Sequence, residues 1–94
     1  AVGGFASGFH MYCEEMDLCR RLRASGWSIR FCPQAVATHV GGGSTAQILA
    51  QQPRTLWSSR VLYFRKHHGR AAAALLAWMV RCAYLARATW WAAR

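Results

Sequence analysis

The stretch MYCEEMDLCRRL, residues 11–22, holds Glu14, Glu15 and Asp17, which are all the acidic side chains of the protein. Twelve Lys and Arg residues are spread over the rest, for a net charge of +9. The stretch reads as the start of a helix running from about Glu14 to Ser25. Its acids lie in the first turn and Arg20, Arg21 and Arg23 near its end, and both placements offset the helix dipole. Gly26 is a natural stop, because glycine takes the left-handed backbone that closes a helix without strain. Glu15, Leu18, Cys19 and Leu22 are spaced i, i+3, i+4, i+7 and form an apolar stripe with Glu15 at its amino-terminal end. Asp17 precedes Arg21 by one helical turn, the spacing of an i, i+4 ion pair. Glu14 lies on the flank of the stripe and has no assigned role.

Two readings of the acid cluster follow. In one, the carboxylates complement the dipole and pair with arginines, which accounts fully for Asp17. In the other, Glu15 is partly desolvated at the rim of the stripe. Desolvation raises a carboxyl pKa and makes the group a useful proton acceptor. Glu15 is then a candidate general base, for a reaction that these residues alone do not name.

Working outward, Gly3, Gly4 and Gly8 make the start of the chain a loop. WSIRF, residues 27–31, alternates Trp27, Ile29 and Phe31 against Ser28 and Arg30, the pattern of a half-buried strand, and Pro33 ends it. AVATHV, residues 35–40, is a second, shorter apolar run before the flexible Gly41, Gly42 and Gly43. Helical character returns in TAQILAQQ, stops at Pro53, resumes from about Thr55 to His68 and is punctuated by Gly69. A last helix, rich in Ala and Trp, fills the remainder. The shift in composition near residue 70 divides the chain into residues 1–69 and residues 70–94.

Several of these motifs occur together in one known family. GGF-x-x-x-F-x-x-Y-x-E-E-x-D-L-C-x-R-L, then G-W, P-x-A and H-x-G-G, resembles the carboxy-terminal half of the catalytic domain of inverting family 2 glycosyltransferases, among them rhamnosyltransferase-like and galactofuranosyltransferase-like enzymes. The resemblance covers residues 3 to about 69. It implies an α/β fold, part of the GT-A nucleotide-sugar transferase architecture, here mostly helical with one or two short strands and followed by a carboxy-terminal helix. It implies transfer of a sugar from a nucleotide-sugar donor to an acceptor hydroxyl, in cell-surface polysaccharide or glycolipid synthesis. The acceptor is a saccharide or a lipid-linked one. The setting is the cytoplasm, at the inner face of the bacterial cytoplasmic membrane.

Residue by residue, the resemblance makes Glu15 the base that deprotonates the acceptor, with Asp17 matching a further family acid. The family usually has Asp at the position of Glu15, so the carboxylate here sits on an arm longer by one bond. His39 matches a residue that helps hold a divalent ion, Mg2+ or Mn2+, on the donor diphosphate, the other ligands lying outside these residues. A His at a strand end with local hydrogen bonds is the alternative for His39. Arg60, Arg65 and Lys66, with His67 and His68, fall in SRVLYFRKHHG, a segment that also resembles the family. They would meet the donor diphosphate or a lipid-linked phosphate, or form a solvated basic face. Ala6 and Ser7 stand where the family usually has Asp-Glu. The Asp-x-Asp motif and nucleotide-binding strands are absent, so the 94 residues read as a fragment expected to be inactive by itself.

Residues 71–94 span about 36 Å as a helix, enough for a bilayer by length. Arg81 and Arg87 interrupt the apolar run, which suits peripheral contact at a membrane surface better than a span. Packing on another part of the protein is the alternative. Cys13, Cys19, Cys32 and Cys82 contain no CxxC and read as reduced, largely buried thiols, although Cys13, Cys19, Cys32 and His39 are a conceivable mixed zinc set. With 54% hydrophobic residues and five Trp, the chain is not of the disordered class. Its basic balance admits an anionic partner of any kind. A small basic module binding nucleic acid or a membrane surface without catalysis explains the charge, but not the gathered acids. The chain matches none of the usual nucleic-acid motifs.

Overall fold

The computed structural model describes residues 2–39 and 52–94, with no side-chain placement for Gln52. Two helices carry it: α1, Glu14–Ala24, and α2, Gln52–Ala92. α1 begins where the acid cluster places it and ends one residue earlier than Ser25. Its end is a Schellman closure. The N–H of Trp27 donates to the Leu22 carbonyl (3.0 Å) and that of Gly26 to the Arg23 carbonyl (3.0 Å), with Gly26 at φ 88°.

The α/β expectation fails here. Among the described residues there is no strand, and with it goes the partial GT-A sandwich. Residues 27–31 alternate as expected, but they have no neighbouring strand to pair with. A single extended segment cannot satisfy its own N–H and C=O groups by a ladder. Trp27, Ile29 and Phe31 accordingly stay in solvent, Phe31 at 90% exposure. Residues 35–39 are likewise exposed and irregular. Val40, the glycine run 41–43 and most of TAQILAQQ lie outside the described residues.

Pro53 lies inside α2, and the run before it on which a stop is expected lies outside the described residues. The proline sits in the first turn of α2, where its missing N–H would have had no intrahelical partner anyway. The break comes at Gly69, whose φ of 89° and ψ of 172° are non-helical. Gly69 divides α2 into a first arm, residues 52–68, and a second arm, residues 70–92. The second arm folds back along the first. Ala77, Val80 and Arg81 line one groove with Trp57, Val61 and Leu62, and Ala83, Tyr84 and Arg87 line another with Trp57.

The glycine-rich loop and α1 pack on the first arm. Gly8 lies against Leu62, so that a Cβ there would stand 3.6 Å from the Leu62 side chain. The Ser59 hydroxyl, buried, donates to the Met11 carbonyl at 2.5 Å. Only Phe9, Cys13 and Ala73 are buried apolar side chains among the described residues. The radius of gyration is 17.0 Å, against about 12 Å for a compact chain of this length. With so little apolar burial, polar contacts carry an unusual share of the packing.

Candidate functional site

The three carboxylates point into three different environments. Asp17 has no exposed surface at all. Its Oδ2 accepts from Arg21 Nε at 2.8 Å, and its Oδ1 meets Lys66 Nζ at 2.7 Å and His67 Nε2 at 2.6 Å. Burial by itself would push this carboxyl up. The hydrogen bonds from Lys66, His67 and Arg21 outweigh it and hold Asp17 at about 2, below its ordinary value of 3.8. Arg21 is spent twice over, since its guanidinium also donates to the carbonyls of Val2 (2.7 Å) and Gly4 (2.6 Å). One buried carboxylate therefore ties together the amino-terminal loop, α1 and the first arm of α2.

A second clasp lies beside it. Arg20 Nη1 is 3.0 Å from His68 Nε2, a contact in which the guanidinium donates and the imidazole accepts. The His67 ring lies 4.7 Å from the Tyr63 ring and the His68 ring 5.1 Å from that of Phe64. The Arg20 contact holds the KHH run, residues 66–68, against α1, while the ring contacts orient both imidazoles within the first arm.

Glu15 is different. It is exposed, so the desolvation expected of it falls on Asp17 instead. The inward face of α1 is carried by Cys13, Asp17 and Arg21, while Leu18, Cys19 and Leu22 are half-buried. The entry to the helix is strained. Tyr12 (φ 70°) and Cys13 (φ 66°) both adopt the left-handed backbone, and the Cys13 side chain makes no capping hydrogen bond. Such residues cost on the order of 1–3 kcal/mol each and cluster where geometry serves a function. Burial raises the Cys13 thiol, helped by Glu15 and Glu14 and opposed by Arg60. Glu15, Glu14 and Arg60 thus act on one point at the helix start. Glu14 Oε2 is shut off from water and accepts no hydrogen bond among the described residues.

Of the basic residues expected at a diphosphate, Lys66 is committed to Asp17 and also lies over the Phe9 ring (5.7 Å). Arg60 stacks on Trp57 at 4.7 Å and is exposed. Arg65 is exposed and lines the groove between the two arms. His39 is an exposed imidazole, and no group of three or more His, Cys, Asp or Glu side chains gathers among the described residues. Cys19 is half-buried, while Cys32 and Cys82 are exposed, so only Cys13 is the buried thiol expected of all four. Nothing gathers a zinc set from them.

The sequence reads His67 as a contact to a donor diphosphate or lipid-linked phosphate, or as part of a solvated basic face, whereas the structure sets it on a buried carboxylate. The signal for its structural use is the single carboxylate at Asp17, which has more cationic suitors nearby than an i, i+4 pair requires.

This geometry belongs to a chain with recognisable relatives. It is 45% identical over 38 residues to rhamnosyltransferase WbbL of Escherichia coli (strain K12), a match covering 40% of this chain and 14% of that one. It is 31% identical over 80 residues to the N-acetylglucosaminyl-diphospho-decaprenol L-rhamnosyltransferase of Mycobacterium tuberculosis (strain ATCC 25618 / H37Rv), covering 85% of this chain and 26% of that one. No protein-family model matches the chain, and no solved structure does. The chain is similar to rhamnosyltransferases. The kinship is with glycosyltransferases, at low identity and over about a quarter or less of the relatives' length.

Proposed function

We propose that these residues serve an inverting glycosyltransferase of family 2, which moves a sugar from a nucleotide-sugar donor to an acceptor hydroxyl in cell-surface polysaccharide or glycolipid synthesis. The carrying observation is the division of labour at the start of α1. Asp17 is wholly buried and anchors the helix, while Glu15, two residues earlier, is exposed. The relatives are named as rhamnosyltransferases, one acting on a diphospho-decaprenol acceptor. A lipid-linked or saccharide acceptor is accordingly proposed here, with the reaction on the cytoplasmic side of the membrane.

In this reading the Glu15 carboxylate accepts the proton of the acceptor hydroxyl. The freed oxygen attacks the anomeric carbon from the face opposite the diphosphate. The carbon–oxygen bond to the diphosphate breaks, its electron pair leaves with the phosphate, and the configuration inverts. A carboxylate placed as general base contributes on the order of 10²–10⁴-fold. Its placement needs a fixed helix start, which Asp17 supplies through Arg21, Lys66 and His67. Asp17 is thus a positioning residue and not a proton acceptor, because its own charge is fully engaged.

Arg60 and Arg65 are the basic residues left to meet a donor diphosphate, since Lys66 is paired with Asp17. The described residues do not build a metal site. For a divalent ion, Mg2+ or Mn2+, they offer His39 as one ligand at most, and no step here runs through it.

Glu15→Gln in the natural protein containing these residues tests the reading. Transfer from a nucleoside-diphosphate sugar is expected to fall by about 10²-fold or more in kcat, with helicity and denaturant midpoint unchanged. Undiminished kcat would remove Glu15 from the chemistry.

A further inference from the structure

The second arm of α2 carries a surface for which sugar transfer has no use. Its inner edge is set by contact with the first arm. Ala73 is buried, and Ala77, Val80 and the half-exposed Tyr84 line the grooves that Trp57 shares. Those four residues step by four, three and four, one continuous helix edge. The opposite face carries Leu75, Trp78, Met79, Cys82 and Leu85, with Trp90 at its margin. It lies in solvent, with Leu75 at 58%, Trp78 at 62%, Leu85 at 67% and Trp90 at 61% exposure. An apolar stripe this long on a small protein marks an interaction surface.

Charge says what covers it. The chain has no Asp or Glu beyond Asp17, while Arg70, Arg81, Arg87 and Arg94 all lie on or beside this arm. Arg81 and Arg87 each line an inner groove, on opposite flanks of the helix and more than a quarter-turn from the middle of the stripe. Arg94 stacks on Trp90 at 5.0 Å. A second copy is a poor occupant, because two such faces would bring arginines together without carboxylates to pair them. Asp17 is buried and engaged, and Glu14 and Glu15 are on α1.

An anionic lipid surface fits both parts. Its acyl boundary receives Leu, Met and Trp, and its headgroups receive arginines held at both flanks. By length and composition Pro53–Ala92 could cross a membrane. The turn at Gly69 and the groove-bound inner edge instead favour a helix lying in the surface plane, where Arg81 and Arg87 avoid the hydrocarbon.

We propose that residues 70–92 dock this protein, outer edge down, in the interface of an anionic bilayer. The docking makes no use of Glu15 and stands apart from the transfer chemistry.

Flotation of the 94-residue chain with vesicles of phosphatidylcholine alone, or of equimolar phosphatidylcholine and phosphatidylglycerol, tests it. Binding is expected to the anionic vesicles, with a blue shift of tryptophan emission, and to weaken as salt rises. Trp78→Glu with Leu85→Glu should lower the affinity about tenfold per side chain. Ser28→Glu with Ala35→Glu, an equal charge change at two exposed positions of the irregular segment, should not. Arg81→Gln with Arg87→Gln leaves the stripe intact and should abolish the preference for phosphatidylglycerol. That pair keeps the proposal open to refutation should the glutamate variant fail to fold. Equal binding of the unaltered chain to both vesicle types, undiminished affinity in the glutamate variant, a preference for phosphatidylglycerol retained in the arginine variant, or a dimer formed through this face in place of lipid binding would each overturn it.

Discussion

The two ends of this molecule invert the usual arrangement of a small protein. Where α1 meets the first arm of α2, the fully buried side chain is a charged one, Asp17, with Arg21, Lys66 and His67 around it. Along the second arm, Leu75, Trp78, Met79 and Leu85 are more than half exposed. One region is held by a charge cluster, the other leaves its apolar groups free. The contrast teaches that hydropathy here does not sort inside from outside. Buried ions give position, and large apolar groups stay in solvent.

The sharpest way to break that contrast is Asp17→Asn. The substitution keeps shape and removes the charge on which Arg21, Lys66 and His67 converge. Loss of one member of a buried ionic cluster costs about 3–5 kcal/mol. The low end applies, since Lys66 is 36% exposed and Arg21 22% exposed and both can recover some hydration. Denaturant unfolding followed by circular dichroism should show the midpoint collapsing. A change below about 1 kcal/mol, the range of surface pairs, would mean the cluster is ornamental.

Acid titration attacks the same cluster without mutation. Asp17 is held at about 2 in the folded chain against an ordinary 3.8. A depressed carboxyl stabilises the fold fully above its unfolded value, and the stabilisation drains away as pH falls toward the folded one. Stability should therefore be level above about pH 4 and fall by about 2 kcal/mol on the way to pH 2. The denaturant midpoint measured across that window should follow this curve, and Asp17→Asn should flatten it. An unaltered slope in the variant would assign the acid sensitivity elsewhere.

Gly69 joins the two regions, and its substitution shows whether they depend on each other. Its φ of 89° lies where an L side chain is strained, yet nothing stands within 4 Å of a Cβ built there. Gly69→Ala therefore tests backbone strain alone, at about 1–3 kcal/mol. The grooves around Trp57 should loosen, read as a red shift of tryptophan emission, while the Asp17 cluster stays in place. Destabilisation as large as that of Asp17→Asn would show one cooperative unit.

The local parts of this architecture could be read from the chain. The start of α1 follows from acids in its first turn, its end from Gly26, the Asp17–Arg21 pair from spacing, and the break in α2 from Gly69. The failures come from long-range contacts. WSIRF has the period of a strand, but period does not supply a partner strand, and without one the segment stays irregular. Asp17 reads as half of a helical pair because its other partners, Lys66 and His67, lie far along the chain, His67 50 positions away. Glu15 reads as the carboxylate at the apolar rim because hydropathy alone defines the stripe of α1. The true inward face follows Asp17, where ions and not apolar groups drive the packing.

The gentlest test sets Glu14→Gln beside Asp17→Asn, the same chemical change one turn apart on α1. Glu14 Oε2 is out of contact with water and has no hydrogen-bond donor among the described residues. A buried acceptor left unmet costs about 1–3 kcal/mol, which removal of the charge relieves in part. Against that, a negative charge in the first turn contributes about 0.3–1 kcal/mol through the helix dipole. The two effects nearly cancel, so Glu14→Gln should shift stability by less than about 1 kcal/mol, toward the more stable side. Denaturant midpoints of the two variants measured together decide the matter. If Glu14→Gln destabilises as Asp17→Asn does, then Glu14 has a cationic partner in solution, and the helix start is anchored by two carboxylates instead of one.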